Sequence, residues 1–229
     1  MSSDKRLEIY DLGLVEYGTA LTLQRELVEK RIGGLVPDML LLLEHPHVYT
    51  LGRKGVMENV INRELPCYRV ERGGDATYHG PGQLVAYPIV NLNLLGVGVR
   101  EFVNILEEAC IETLAAYGLE GCRIEGKPGV WVGGRKIASI GLAIRHWVTF
   151  HGIAININTD LTYFYGIRPC GMEPETMTSL QQLTGRMVEM GDVKKLFGGR
   201  LAGMLGLKPV WLDGGRLEYL KVYKSSTTL

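Results

Sequence analysis

Residues 72–84, RGGDATYHGPGQL, have little with which to fill a core, yet they run straight into a strand-like stretch over 85–90. Four glycines and a proline break the segment at Gly73-Gly74 and at Gly80-Pro81-Gly82. Such punctuation marks turns, or places where the main chain must come close to something else. A pair of tight turns at a sheet edge satisfies the pattern on purely structural grounds. Arg72, Asp75, Tyr78 and His79, set between the glycines, point instead to a wall of a binding site. Either way, the core must be built elsewhere and the loop must be held by it.

The rest of the chain supplies that core. Its 229 residues suit one large domain, read here as spanning 1–229, and are enough to bury a substantial interior. Residues 7–15 predict a strand closed by a turn at Tyr17-Gly18. An amphipathic helix follows from about Thr19 and stops at Gly33-Gly34. The apolar run over 39–44 predicts a strand buried on both faces, and 48–51 a second strand beyond His45-Pro46-His47. Residues 56–67 look irregular and 68–70 extended. Pro88 cannot donate a ladder hydrogen bond, which places the 85–90 strand at an edge or a bulge. A helix is expected over 99–117, with Val99, Phe102, Val103, Leu106, Cys110 and Leu114 as its apolar stripe and Gly118 as its stop. Two strands, 129–132 and 136–144, flank a Gly133-Gly134-Arg135 hairpin turn, and a third over 147–157 returns through a turn at Arg145-His146. Residues 158–175 read as loop. Short helices near 178–183 and 192–205 precede a small terminal hairpin, 209–212 with 217–220. Strands and helices mix without strict alternation, so the fold class is α+β: a mixed sheet flanked by helices.

Composition narrows the function. Lys plus Arg and Asp plus Glu each total 25, and this neutral balance argues against a general nucleic-acid binder. No apolar run reaches the length of a membrane span, and the polar N-terminus lacks a signal-peptide pattern, so the expected setting is cytoplasmic. The four cysteines (Cys67, Cys110, Cys122 and Cys170) contain no C-x-x-C and imply neither a disulfide scaffold nor a zinc site.

Two side chains carry candidate chemistry. Cys170, between Pro169 and Gly171, is placed to be both held and reached, whereas Cys110 falls on an apolar helix face. Lys136 heads the strand RKIASIGLAI; period-two alternation puts Ala138 and Ile140 on its face and Ile137 and Ser139 on the other. Beside a thiol it would favour the thiolate, but a solvated strand end is the plain alternative. His45 and His47 form an H-x-H pair interrupted by Pro46, with no spaced carboxylate or cysteine, so no metal is expected. His146 reads as a surface turn residue, while His79 and His151, each beside a glycine, suit a pocket rim. Neither G-x-x-x-x-G-K-[ST] nor G-x-G-x-x-G occurs.

Taken together, RGGDATYHGPGQLVAYP, GVWVGGRKIASIGLAI, FHGIAININTDL and the PCG around Cys170, in that order and preceded by LLLEHPHVYTLGRKG, resemble the lipoyl(octanoyl) transferase family over about 40–185. That resemblance implies a biotin/lipoate protein ligase-like fold. It further implies transfer of an octanoyl group from octanoyl-acyl carrier protein to a lysine of lipoyl domains of 2-oxoacid dehydrogenase or glycine cleavage proteins, with no cofactor. By position, Cys170 matches the family's nucleophile, which carries the acyl group as a thioester, and Lys136 the residue that lowers its pKa and acts as acid and base. Arg72, Gly73, Gly74, Asp75, Ala76, Thr77, Tyr78 and His79 match one acyl-binding segment. Ser139, Ile140 and Gly141 match a second, and Gly152, Ile153 and Ala154 a third. Arg53, Lys54, Arg72 and Arg135 are candidates for a patch that docks an acidic carrier. A monomer is expected. The rival readings are an ATP-dependent lipoate or biotin protein ligase and a non-catalytic lipoyl-domain-binding protein.

Overall fold

Alternation of apolar residues along the strands builds a sheet with two greasy faces. The computed structural model describes residues 5–168 and 176–213. Its larger sheet comprises β1 (Arg6–Leu14), β2 (Asp38–Glu44), β6 (Gln83–Ile89), β7 (Cys122–Ile124), β8 (Lys127–Val132), β9 (Arg135–Arg145), β10 (Val148–Asn156) and β11 (Lys208–Asp213). The order across it is β11-β1-β2-β6-β10-β9-β8-β7; β1 is parallel to both β11 and β2, and the remaining pairs are antiparallel. A smaller sheet, β4-β3-β5, is made of β3 (Val48–Leu51), β4 (Cys67–Arg69) and β5 (Ala76–His79).

Each face of the larger sheet has its own helices. Leu40, Leu42, Leu84, Ala86, Ile153 and Ile155 pack against Phe102, Leu106 and Cys110 of α3 (Val99–Ala115) and Phe197 and Leu201 of α5 (Met190–Met204). The residues in between, Leu41, Leu43, Val85, Tyr87, Phe150 and Ala154, face Ala20, Leu23 and Leu27 of α1 (Tyr17–Ile32). Arg31 of α1 and Asp38 of β2 form a buried ion pair at 2.7 Å, and Asp38 also accepts the Asn91 N–H. The smaller sheet closes over Tyr49, Tyr78 and Phe164, beside a 3-10 turn, Leu161–Gly166.

Several local expectations change. Tyr17 and Gly18 open α1 and do not form a turn. Residues 76–79 of the glycine-rich segment are a strand, β5, paired antiparallel with β3. A one-turn helix, α2 (Leu92–Leu95), is capped by the Asn91 side chain, a short signal with no period to betray it. Val99, 43% exposed, falls off the α3 stripe, and so does Val103, which lines a groove and does not join the core cluster. The Gly133-Gly134 pair alone forms the β8–β9 turn, with Arg135 already in the strand, and the β9–β10 turn is His146-Trp147, both at positive φ. The short helix after 178 is α4 (Leu180–Thr184). The stretch read as the first arm of a terminal hairpin is instead β11, parallel to β1; 217–220 lies outside the described residues.

The largest departure concerns Pro88. It lies in β6 at the centre of the sheet, between β2 and β10, and not at an edge. The rung where it faces His151 has no Pro88 N–H to offer. There the Thr149 hydroxyl donates to the Pro88 carbonyl at 2.7 Å, and the His151 N–H turns to Gln24 Oε1 of α1, also at 2.7 Å. His151 takes φ 54, a left-handed conformation uncommon for a non-glycine residue in a strand. The sheet tolerates its proline by opening one rung.

Candidate functional site

That open rung marks the inner end of a pocket between the α1 face of the large sheet and the glycine-rich segment of the small one. The pocket is lined by Arg72, Gly74, Asp75, Ala76, Thr77 and His79 from the glycine-rich segment, Ser139, Ile140 and Gly141 from β9, and Gly152, Ile153 and Ala154 from β10, with Lys136 among them. Three stretches far apart in sequence are thus brought to one place. Gly73 lines an adjoining outer groove, and its N–H donates to the Leu142 carbonyl. Tyr78 faces away: its ring is buried with Tyr49 and Phe164, and its hydroxyl lies 2.8 Å from His47 Nδ1.

A bulge decides where Lys136 points. Trp131 pairs with Lys136 and Val130 with Ala138, so β9 carries one extra residue, Ile137. Ile137 and Ala138 therefore both turn to the α3 core, followed by Ile140 and Leu142, while Lys136 and Ser139 line the pocket. Simple alternation from Lys136 had grouped it with Ala138 and Ile140; the bulge resets the count. Lys136 is 7% exposed, with its ammonium 5.5 Å from the centre of the buried Trp131 ring. Gly129, at φ 124, makes room for it, because a Cβ there would come within 2.8 Å of Lys136 Cε and strike the Ala138 carbonyl. The Lys136 carbonyl accepts the Thr178 N–H at 2.9 Å, and Met177 pairs with Lys136 and also lines the pocket.

Cys170 lies outside the described residues. The chain reaches that segment from Arg168, whose N–H donates to the Asn59 carbonyl, and Asn59 Nδ2 donates in turn to Asp75. It is described again from Thr176, next to the Lys136–Met177 bridge. Of the other cysteines, Cys110 is buried in the α3 core, and burial pushes its thiol far above the usual range. Cys67 is half-buried and also raised by burial, and Cys122 is exposed on β7.

The glycine-rich segment is held by Arg72. Its guanidinium donates to the Thr50 carbonyl and hydroxyl, the Gly73 carbonyl and the Asp75 carbonyl. With 7% exposure, Arg72 is no part of a surface docking patch; Arg53 and Lys54 are exposed and Arg135 half-buried. Asp75 accepts from the Ala76 N–H and from Asn59, so it too braces the turn. At Gly152 neighbouring β6 leaves no room for a side chain: a Cβ there would strike the Ala86 carbonyl and lie 2.8 Å from Pro88 Cδ.

The histidines are walls rather than rim. His79 is 6% and His151 1% exposed; burial lowers both from their usual pKa, His151 to about 4. His79 Nδ1 lies 2.7 Å from Gln83 Oε1. His45, also pushed down to about 4 by burial, bridges the Val15 carbonyl and the Tyr87 hydroxyl, whereas His47 stacks on Tyr163. The H-x-H pair is therefore spent on two separate contacts. Among the described residues no group of three His, Cys, Asp or Glu is placed to hold a metal.

Tyr17, Tyr87, Val85 and Met177 also line the pocket and are not singled out by any motif. The only sequence signal for Tyr17 is its place one helical period pair before Gln24 on the buried side of α1.

Comparison with known proteins sets this site in context. Residues 16–202 match the family model described as the lipoyl protein ligase A/B catalytic domain. The chain is similar to an octanoyltransferase of Syntrophotalea carbinolica, 51% identical over 82% of this chain and 89% of the relative, and to an octanoyltransferase of Pelobacter propionicus, 44% identical over 85% and 93%. Its fold is similar to a lipoate-protein ligase A crystallised with ATP, with a TM-score of 0.70 over 97% of this chain and 94% of that one at 14% identity.

Proposed function

Because the chain belongs to the lipoyl protein ligase A/B catalytic-domain family, we propose that it is an acyltransferase that moves an octanoyl group onto a lysine of a lipoyl domain. The donor is octanoyl-acyl carrier protein, and the protein acts as a cytoplasmic monomer without cofactor. No helix among the described residues is long and apolar enough to cross a membrane. The observation that carries the proposal is the convergence on one pocket, beside Lys136, of all three stretches that resemble acyl-binding segments.

The chemistry needs two exchanges at one carbonyl. The Cys170 thiolate attacks the donor thioester; its sulfur bonds to the acyl carbon, and the carrier's C–S bond breaks. The departing thiolate takes the proton that Cys170 gave up, relayed by Lys136. The acceptor lysine then attacks the acyl-enzyme. A C–N bond forms, the bond to Cys170 breaks, and Lys136 receives the amine proton. The donor is already activated, so no nucleotide enters. A buried ammonium held over Trp131 supplies positive charge where thiolate and oxyanion develop.

The test is to mix purified protein with octanoyl-carrier and a lipoyl domain without nucleotide. Octanoylated lipoyl domain should form, and peptide mass spectrometry of the enzyme with donor alone should find the acyl group on Cys170. Cys170→Ala should abolish both. An absolute requirement for ATP would instead identify a ligase, and binding of the partners with no acyl transfer a non-catalytic binder.

A further inference from the structure

Three buried side chains have polar atoms without a hydrogen-bond partner among the described residues: Tyr17 Oη and His151 Nε2, whose residues line the pocket, and Nε2 of Gln24, which holds the His151 N–H. Their residues are 2%, 1% and 0% exposed. An unpaired buried polar group is destabilising, so three of them demand an explanation. Glu71 is 3.9 Å from His151 Nε2, beyond hydrogen-bond reach, and is taken by the Arg25 fork at 3.0 Å.

The backbone has been bent to put His151 there. Alternation along β10 would place it with Ile153 and Ile155 on the α3 face. Its left-handed φ instead turns the ring to the α1 side, against Tyr87 and Phe150, where it lines the pocket together with Tyr17. Gln24 Oε1 holds that geometry through the His151 N–H. Strain of this kind persists only where the surroundings enforce it, and it gathers at ligand sites.

Distance gives the position a meaning. Lys136, with Gly74, Asp75, Ile140 and Gly141, stands where the pocket meets the outer groove lined by Lys54 and Lys127. From the Ser139–Ala154 rung to the Leu142–His151 rung is three residues, about 10 Å. An octanoyl chain has seven C–C bonds of about 1.5 Å, a reach of about 9 Å when extended. With its carbonyl beside the Ser139–Ala154 rung, such a chain laid along the strands reaches the Leu142–His151 rung.

We infer that the inner end of the pocket is a hydrogen-bonding subsite, formed by Tyr17 and His151, that accepts acyl chains carrying a small polar group at the distal carbon and disfavours an added methylene. The inference rests on the acyl pocket proposed above. A purely apolar end would favour the greasier of two equal-sized chains; a site built to hydrogen-bond discriminates the other way and more steeply.

The experiment uses the isosteric pair 8-hydroxyoctanoyl and nonanoyl, first as carrier thioesters in the transfer assay and then as free acids in titration calorimetry. The intact protein should prefer the hydroxylated chain by about tenfold or more in both, and Tyr17→Phe should bring the ratio to within about threefold. Equal or better handling of nonanoyl by the intact protein overturns the subsite, as does a ratio unmoved in a folded Tyr17→Phe. Absence of octanoyl transfer, with the calorimetric preference retained, overturns the transferase proposal and leaves the subsite standing.

Discussion

The two faces of β6, β9 and β10 share strands and register, yet they solve opposite problems. On the α3 and α5 face Leu84, Ala86, Ile137, Ala138, Ile153 and Ile155 pack against Phe102, Leu106, Phe197 and Leu201, all fully buried. On the α1 face, around the pocket, burial falls on Arg72, His79, Lys136, His151 and Tyr17. The first face lowers the free energy of the fold by removing apolar area from water. The second spends some of that stability on charged and polar groups kept out of water, where electrostatic interactions are strongest. The contrast teaches that one sheet can serve as ballast on one side and as apparatus on the other, because successive side chains point to opposite faces.

Substitutions should separate the two. Lys136→Met keeps the bulk and removes the charge; transfer should fall by about 10²–10⁴, while a cooperative urea transition shows the fold retained. Phe102→Ala should do the reverse, costing about 3–5 kcal/mol of stability and leaving the KM for octanoyl-carrier unaltered at a temperature where the protein stays folded. A Phe102→Ala protein that was stable but inactive would erase the distinction between the faces. Arg72→Lys sits between the extremes. The fork that spans Thr50, Gly73 and Asp75 is replaced by one ammonium, so stability should drop by about 1–3 kcal/mol and KM should rise as the glycine-rich wall loosens.

The smallest effect is graded by pH. His45 and His151 have folded pKa values of about 4 against about 6.5 when free. Above pH 6.5 both are neutral folded or unfolded and cost nothing. Below it the unfolded chain takes up protons that the native state refuses, so stability declines down to about pH 4. The slope is up to about 1.4 kcal/mol per pH unit for each histidine. His79 acts in the same direction. Urea midpoints measured from pH 7.5 to 4.5 should fall steadily, and a flat profile would show that these rings are not buried neutral.

Much of the architecture was legible because it is written in short-range periods. The buried run in β2, the α3 stripe apart from Val99 and Val103, the GG hairpin between β8 and β9, and the stops at Gly33 and Gly118 all follow from spacing and glycine placement. The candidate site was legible in its residue types and motif order. All the acyl-segment residues except Gly73 and Tyr78 line the pocket, along with Lys136.

What the sequence by itself determined, then, is most of the longer strands and helices, and that the glycine-rich segment must be held from outside. Tertiary structure alone decided that this segment contributes a strand, that Arg72 braces it, and that a bulge against β8 aims Lys136 at the pocket. It also decided the fate of Pro88. An isolated reading sends a proline to an edge, but here the missing donor is matched across the sheet by a histidine 63 positions later, turned left-handed and held by Gln24. Local pattern encodes period and propensity. Which strand lies opposite which is set by packing the whole chain, and at that rung the packing, not the period, fixed where His151 points.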